Sequence, residues 1–307
     1  WTPIVDHLER ELDDNRLGAP QDDGGHKASV PLFEQLAATL GRRTAELHRA
    51  LATETGDPAF TPEPITADDL TRWADGAQAQ AGAAFAALAG ALGQVPDEGQ
   101  ADARRLLDRR DEVTRRLSDA ARMPVGAVKI RIHGDYHLGQ VLRVQNDVFI
   151  IDFEGEPSKP LEQRRAKRSA LVDVAGMLRS FNYAAWAALF RLSEKDLDDQ
   201  IAPRLQEMAR RWEACSARAF YDAYRAAVAG CPVWPAEEGA AERLLALFLL
   251  EKALYEVGYE AANRPAWIGI PVKGVLALLD GHGLPPADGA QYPPASARTG
   301  ESTTDGA

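Results

Sequence analysis

In VLRVQNDVFII, residues 141–151, two apolar runs rich in Val, Ile and Phe flank the polar triplet Gln145-Asn146-Asp147. A β-hairpin is what such a pattern folds into. That hairpin in turn fixes what its two ends can do together. Gln140 and Asp152 each stand six positions from Asn146, so a hairpin symmetric about that residue sets them side by side at its open end.

The first strand is preceded by HGDYHLGQ, His133 to Gln140, and the second runs into IIDFEGEP, Ile150 to Pro157. A hard cation such as Mg²⁺ takes one or two oxygen ligands from protein and completes its octahedron with phosphates and waters. Gln140 and Asp152 can be that pair. Asp135 lies on the loop entering the first strand, where it can face the same pocket without being a ligand and can accept or orient the proton of an attacking hydroxyl. Together these groups are the inventory of phosphoryl transfer. Each alone has a plainer reading: an Asp near a turn is most often a cap or turn former, and His133 by itself is a structural imidazole. It is the joint spacing that points to chemistry.

Composition narrows the class. A net charge of −11 disfavours a general nucleic-acid role, which needs a basic footprint. Cys215 and Cys231 have neither metal-ligand nor disulfide-framework spacing, so a reducing cytoplasm is the expected compartment. WTPIVDHLERELDD lacks a basic stretch followed by an apolar one, so no secretory leader is expected. The longest strongly apolar run, Leu244 to Leu250, is far too short to span a bilayer.

Elsewhere the periodicity is helical. Pro20 to Lys27 reads as a mobile loop. Leu32, Leu36, Leu40, Leu47 and Leu51 predict an amphipathic helix over Pro31 to Ala52, with His48 as a packing residue. DPAFTPEP at 57–64 breaks it. Helices are predicted over 66–92 and 99–122, the second a solvated face laced with i,i+4 ion pairs, and MPVGAVKIRIHGD supplies a short strand. Arg164, Arg165, Lys167 and Arg168 form a basic cluster that either contacts phosphate or sugar or is merely solvated. Asp173 begins the helix DVAGMLRSFNYAAW, where an N-cap is the simplest role.

A polar pocket is sought in Leu244 to Trp267, because Lys252, Tyr255 and Tyr259 continue the stripe of an otherwise apolar helix. Aromatic faces and a few hydrogen-bonding groups suit a sugar. Glu256, Asn263, Arg264 and Trp267 are secondary candidates there. The proline-rich, weakly apolar residues 285–307 are expected to be a disordered tail.

HGDYHLGQ and IIDFEGEP resemble the catalytic and metal-binding loops of the protein-kinase-like fold, H-R-D-x-x-x-x-N and D-F-G, in the variant used by aminoglycoside phosphotransferases. Gln140 replaces the usual Asn, and Glu154 replaces the Gly of D-F-G, with Gly155 following. HGDYHLGQVL, IIDFEGEPSKPLEQRR and DVAGMLRSFNYAAW further resemble bacterial maltokinases, including those fused to a trehalose synthase.

The resemblance runs from Trp1 to the helix before His282. It implies a mainly α (α+β) fold in which residues 1–284 form the C-terminal helical lobe and a small β-hairpin carries the catalytic and metal loops. The β-rich N-terminal lobe, with its nucleotide lysine and phosphate-covering loop, is expected upstream. The implied cofactors are ATP and Mg²⁺, with Asp135 catalytic, Gln140 and Asp152 on the metal, Lys252, Tyr255 and Tyr259 on the acceptor, and His133, Asp173 and Glu154 in support, Asp173 by hydrogen-bonding the catalytic-loop backbone, a role compatible with an N-cap. The implied reaction is ATP-dependent phosphorylation of maltose at its anomeric hydroxyl, giving maltose 1-phosphate for α-glucan (glycogen) synthesis. A trehalose synthase domain in the same polypeptide is the implied partner. The phosphate-handling motifs leave two alternatives: a related kinase acting on glucosamine, another sugar or an aminoglycoside, and a non-catalytic C-terminal portion of a trehalose synthase fusion. Residues 1–307 alone are expected to turn over ATP weakly or not at all.

Overall fold

The computed structural model describes residues 2–16, 26–120, 122, 124–193, 201–237 and 239–281. They fold as α1 (Thr2–Arg16), α2 (His26–Leu51), β1 (Glu63–Pro64), α3 (Ala67–Ala91), α4 (Asp97–Asp108), α5 (Arg110–Asp119), β2 (Val128–Lys129), β3 (Val141–Val144), β4 (Asp147–Ile150), α6 (Leu161–Arg165), α7 (Leu171–Ser193), α8 (Ala202–Val228), α9 (Ala240–Asn263) and α10 (Gly269–Leu279). The architecture is mainly helical, with antiparallel β1–β2 and β3–β4 pairs as the sheets among the described residues. The expected tail at 285–307 lies outside the described residues, as does most of the expected loop at 20–27, of which His26 and Lys27 open α2.

Helix α7 lies at the centre. Ala175, Arg179, Ser180, Phe181, Ala184, Ala187 and Leu189 are buried around its whole circumference, as expected for a helix enclosed on all sides. It touches α1, α8, α9 and α10. By contrast α3 buries a single stripe, Leu70, Trp73, Ala77, Ala81, Phe85 and Leu88, at helical spacing against α9. Thr66 starts α3 with a capping box: its hydroxyl accepts the Asp69 N–H while the Asp69 carboxylate accepts the Thr66 N–H.

The charged stretch around 99–122 presents the expected exposed face with an i,i+4 pair, Glu112–Arg116, and adds contacts beyond it. It breaks at Arg109 into α4 and α5, and its arginines reach across the fold. Arg105 and Arg109 pair with Asp280 at 2.8 and 2.6 Å, and Arg116 donates to the carbonyls of Leu278 and Leu279. They neutralise the carbonyl end of α10.

Helix α2 lies against α8 at a distance only glycine permits: a Cβ at Gly41 would stand 2.2 Å from the Phe220 carbonyl oxygen. Gly41→Ala is therefore expected to destabilise the protein by about 1–3 kcal/mol through overpacking. Gly82 in α3 has open space around its Cα, and Gly82→Ala is expected to gain up to about 1 kcal/mol from helix propensity. Denaturant melts of the two variants check both signs; equal destabilisation would contradict the close approach.

Candidate functional site

The hairpin forms with a register one position away from symmetry about Asn146. Val141 pairs with Ile150, Leu142 with Phe149 and Val144 with Asp147, so the turn is the two-residue Gln145-Asn146. Gln145 alone of the two has positive φ, at 56°, the φ pattern of a II′ turn whose twist suits a hairpin. Gln140 thus faces Ile151 across the open end, and its carbonyl accepts the Ile151 N–H at 3.0 Å. Asp152 nonetheless reaches it: the chain turns left-handed at Asp152, φ 65°, and Gln140 Nε2 donates to Asp152 Oδ2 at 3.0 Å. A non-glycine residue in that conformation costs about 1–2 kcal/mol, and Asp is among the residues that tolerate it best.

The loop bearing Asp135 is held from below. Asp173, in the first turn of α7, accepts the His133 N–H at 2.8 Å and the Gly134 N–H at 2.9 Å. Its carboxylate faces the loop and not the N-terminus of its own helix. Gly134 has φ +82°, a conformation glycine adopts freely. Gly176 of α7 lets the loop settle, since a Cβ there would meet the Tyr136 carbonyl oxygen at 2.6 Å.

His133 joins the loop to the hairpin. Its Nε2 lies 2.8 Å from the Ile151 carbonyl, which can only accept, so Nε2 carries the proton. Its Nδ1 then accepts the Asp135 N–H at 3.4 Å, and the ring sits between Tyr136 and Phe153. Glu154 is exposed, with Arg164 at 3.8 Å.

Asp135 opens into a cavity between the loop, the segment after the hairpin, and α9, lined also by Glu156, Lys159, Arg168, Glu251, Lys252 and Tyr255. Lys252 Nζ is 3.8 Å from Asp135 Oδ1, an ion-pair separation, and His137 Nε2 is 3.8 Å from Asp135 Oδ2. Burial pushes the Asp135 carboxyl upward, but His137, Lys252 and His133 outweigh it and hold the group below its ordinary range. Lys159 goes the other way for an ammonium: burial, with Arg168 nearby, lowers it.

Of the residues expected on the acceptor side, Lys252 and Tyr255 line this cavity, with the Lys252 ammonium 4.9 Å from the Tyr255 ring centroid. Tyr259 stacks on Tyr255 at 6.4 Å and points outward, 46% exposed. Glu256 is taken by Arg179 at 2.6 Å, and Arg264 by Glu260 at 2.6 Å. Among the described residues no hydrogen bond or ion pair joins Asp135 to Gln140 or Asp152; the link between them runs through His133 and Ile151.

The basic cluster divides residue by residue. Lys167 is tied to Glu63 and the Pro58 carbonyl, away from the cavity. Arg165 is exposed to solvent. Arg168 lines the cavity, paired with Glu251 at 2.9 Å and lying over Phe248. Glu251, Glu156 and Lys159 were not singled out from the sequence; a charged Glu-Lys pair closing the apolar run of α9 is the signal that marks Glu251.

No cluster of three or more His, Cys, Asp or Glu side chains suited to a metal occurs among the described residues. Gln140 and Asp152 therefore fit a cation only as a protein pair completed by ligand oxygens and water. No helix of the described residues is long and apolar enough to cross a membrane.

No protein-family profile matches the chain. It is 32% identical over 243 residues to a glucosamine kinase of Streptacidiphilus jiangxiensis, covering 79% of this chain and 49% of that protein. It is 28% identical over 263 residues to a glucosamine kinase of Mycolicibacterium smegmatis, covering 83% and 56%. Among solved structures, a glucosamine kinase in crystal form A superposes with a TM-score of 0.67 at 27% identity, over 90% of this chain and 55% of that one. A glucosamine kinase in complex with glucosamine, ADP and inorganic phosphate gives 0.65 at 28% identity, over 90% and 57%. The chain thus spans about half the length of the curated relatives it matches.

These relatives correct the maltokinase expectation. Proteins named glucosamine kinase stand where maltokinases were expected, and with the maltokinase resemblance go maltose as partner, maltose 1-phosphate and glycogen as destination, and a trehalose synthase as fused domain. The physical reason is that the maltokinase expectation leaned on motifs read for phosphate chemistry, and phosphate chemistry is the same whichever sugar receives it.

Proposed function

We propose that the chain is the catalytic and acceptor-binding part of an ATP-dependent sugar kinase whose acceptor is glucosamine. Residues 1–284 form the helical lobe of a protein-kinase-like fold in this reading, and 285–307 a polar tail. The observation that carries it is the cavity in which Asp135 sits between Lys252 and His137 with the carboxylate of Glu156 also in the wall. An amino sugar brings an ammonium as well as hydroxyls, and carboxylates beside hydroxyl-binding groups and an aromatic face answer both needs. The relatives named glucosamine kinase support the same acceptor.

Asp135 accepts the proton of the attacking hydroxyl and orients it. The exposed apolar pair Leu142 and Phe149, across the hairpin from one another, offers a flat surface to a nucleobase. Gln140 and Asp152 would hold Mg²⁺, which when bound neutralises the charge of the phosphates. Lys252 keeps Asp135 ionised and contributes a positive charge beside the reacting groups.

The test is ADP release by the whole protein with glucosamine, glucose, N-acetylglucosamine and maltose in parallel. Glucosamine is expected to be preferred by at least about tenfold, the discrimination a paired ammonium supplies. Equal rates with glucose would overturn the amino-sugar reading, and no transfer to any sugar would overturn the kinase.

The electrostatics of Asp135 give a pH prediction. Because its charged form is favoured, the acid limb of kcat/KM is expected below the ordinary aspartate range. Lys252→Met removes one of the stabilising charges, so that limb should move to higher pH. A shift to lower pH, or none, would contradict the assignment.

A further inference from the structure

Behind the loop carrying Asp135 runs a chain of buried polar groups that ends at Tyr224 on α8, away from the residues lining the cavity. His48 is fully buried on α2, between Tyr224 and Asp173. Its Nε2 lies 3.1 Å from Asp173 Oδ2 and its Nδ1 lies 2.9 Å from the Tyr224 hydroxyl.

The direction of the bond to Asp173 follows from what each group can do. The Asp173 carboxylate accepts, so the His48 Nε2–H donates. The Tyr224 hydroxyl, which can donate or accept, is the hydrogen-bond partner of Nδ1 on the other side of the ring. Burial keeps that phenol protonated, far above its ordinary range. Asp173 passes the constraint on, because the same carboxylate accepts the His133 and Gly134 N–H groups immediately before Asp135. Helix packing holds the start of this chain in place, since α2 and α8 meet at Gly41 and the Phe220 carbonyl.

We propose that Tyr224 is a positioning residue for phosphoryl transfer, acting through the ring of His48 and the carboxylate of Asp173 on the peptides that present Asp135. This rests on the kinase reading above. Without the hydroxyl, Nδ1 of a buried imidazole loses its hydrogen-bond partner, the ring is no longer held from both sides, and Asp173 no longer has a fixed partner opposite the loop.

The experiment uses the whole protein with isotope-labelled histidine, which reports the His48 ring nitrogens and the His133 amide together. Tyr224→Phe preserves the ring packing and removes only the hydroxyl. It is expected to shift both signals and to lower kcat about tenfold with acceptor KM unchanged, the signature of a misplaced reacting group. Tyr221→Phe, also on α8 but outside the relay, should leave all three unchanged. His48→Gln keeps an amide nitrogen able to replace Nε2 and is expected to retain more kcat than His48→Leu, a comparison that decides the matter should Tyr224→Phe not fold. An unmoved His133 amide or a full kcat in Tyr224→Phe would overturn the proposal, as would equal loss in the two His48 variants. If the wild-type protein phosphorylates no acceptor, the kinase reading fails by itself, while the His133 amide still reports whether the relay acts on the loop.

Discussion

Asp152→Ala is expected to lower the turnover of the whole protein by about a thousandfold while leaving acceptor KM within about twofold, a loss of the size seen when a group stabilising transition-state charge is removed. Asp152 is the carboxylate at the mouth of the hairpin, and Gln140 beside it is neutral. Removing Asp152 leaves an amide as the one proposed protein ligand, and a single neutral oxygen holds a dehydration-resistant cation poorly. The acceptor cavity has separate walls, formed in part by α9 and the 156–159 segment, so acceptor binding should survive. Steady-state kinetics with saturating and limiting acceptor separate the two effects. A rise in acceptor KM at full kcat would place Asp152 in acceptor binding and remove it from the metal.

Asp135→Asn comes next in size. The amide keeps the shape and a hydrogen-bonding oxygen but cannot take up a proton, so kcat should fall by about 10²–10⁴-fold, the range for a positioned general base. Acceptor KM should change little, because Lys252 and Tyr255 stay in place around the cavity. One complication can be anticipated: Lys252 and His137 lose their charged partner at 3.8 Å. The Lys252 ammonium, left without its carboxylate in a half-buried site, adds to the loss, and the Asp135→Asn, Lys252→Met double variant should therefore lose less than the two single effects combined. Loss of affinity with turnover intact would make Asp135 a binding residue.

The hairpin and its flanking motifs were legible in the sequence because they depend on local alternation and spacing. The register was not fully so. Symmetry about Asn146 requires an odd-numbered turn, whereas the chain makes a two-residue turn at Gln145-Asn146, and the pairing of Gln140 with Asp152 is restored by a left-handed residue at 152. Nothing in composition announces an aspartate with positive φ. The start of α2 was hidden by Pro31, which lacks the N–H a helix interior uses, although the helix runs back to His26.

The cavity wall was harder still. Arg168 and Glu251 meet across a separation of 83 residues, and Lys129 and Asp69 across 60; such pairs exist only once the helices have packed. His48 shows the same limit. Its neighbours along α2 read as a packing stripe, and its two partners lie on α7 and α8. The acceptor was misread for a different reason: the phosphate motifs resemble those of many kinases, and what distinguishes one sugar from another sits on walls assembled from distant segments.

The central claim is that a metal-bound phosphate and an amino sugar meet across Asp135. A crystal structure of the whole protein with Mn²⁺, a non-hydrolysable ATP analogue and glucosamine tests it directly, since the anomalous signal of manganese fixes the cation. The account predicts the cation between Gln140 and Asp152 and a sugar hydroxyl within hydrogen-bond reach of the Asp135 carboxylate. A cation bound away from that pair, or glucosamine seated out of reach of Asp135, would contradict it.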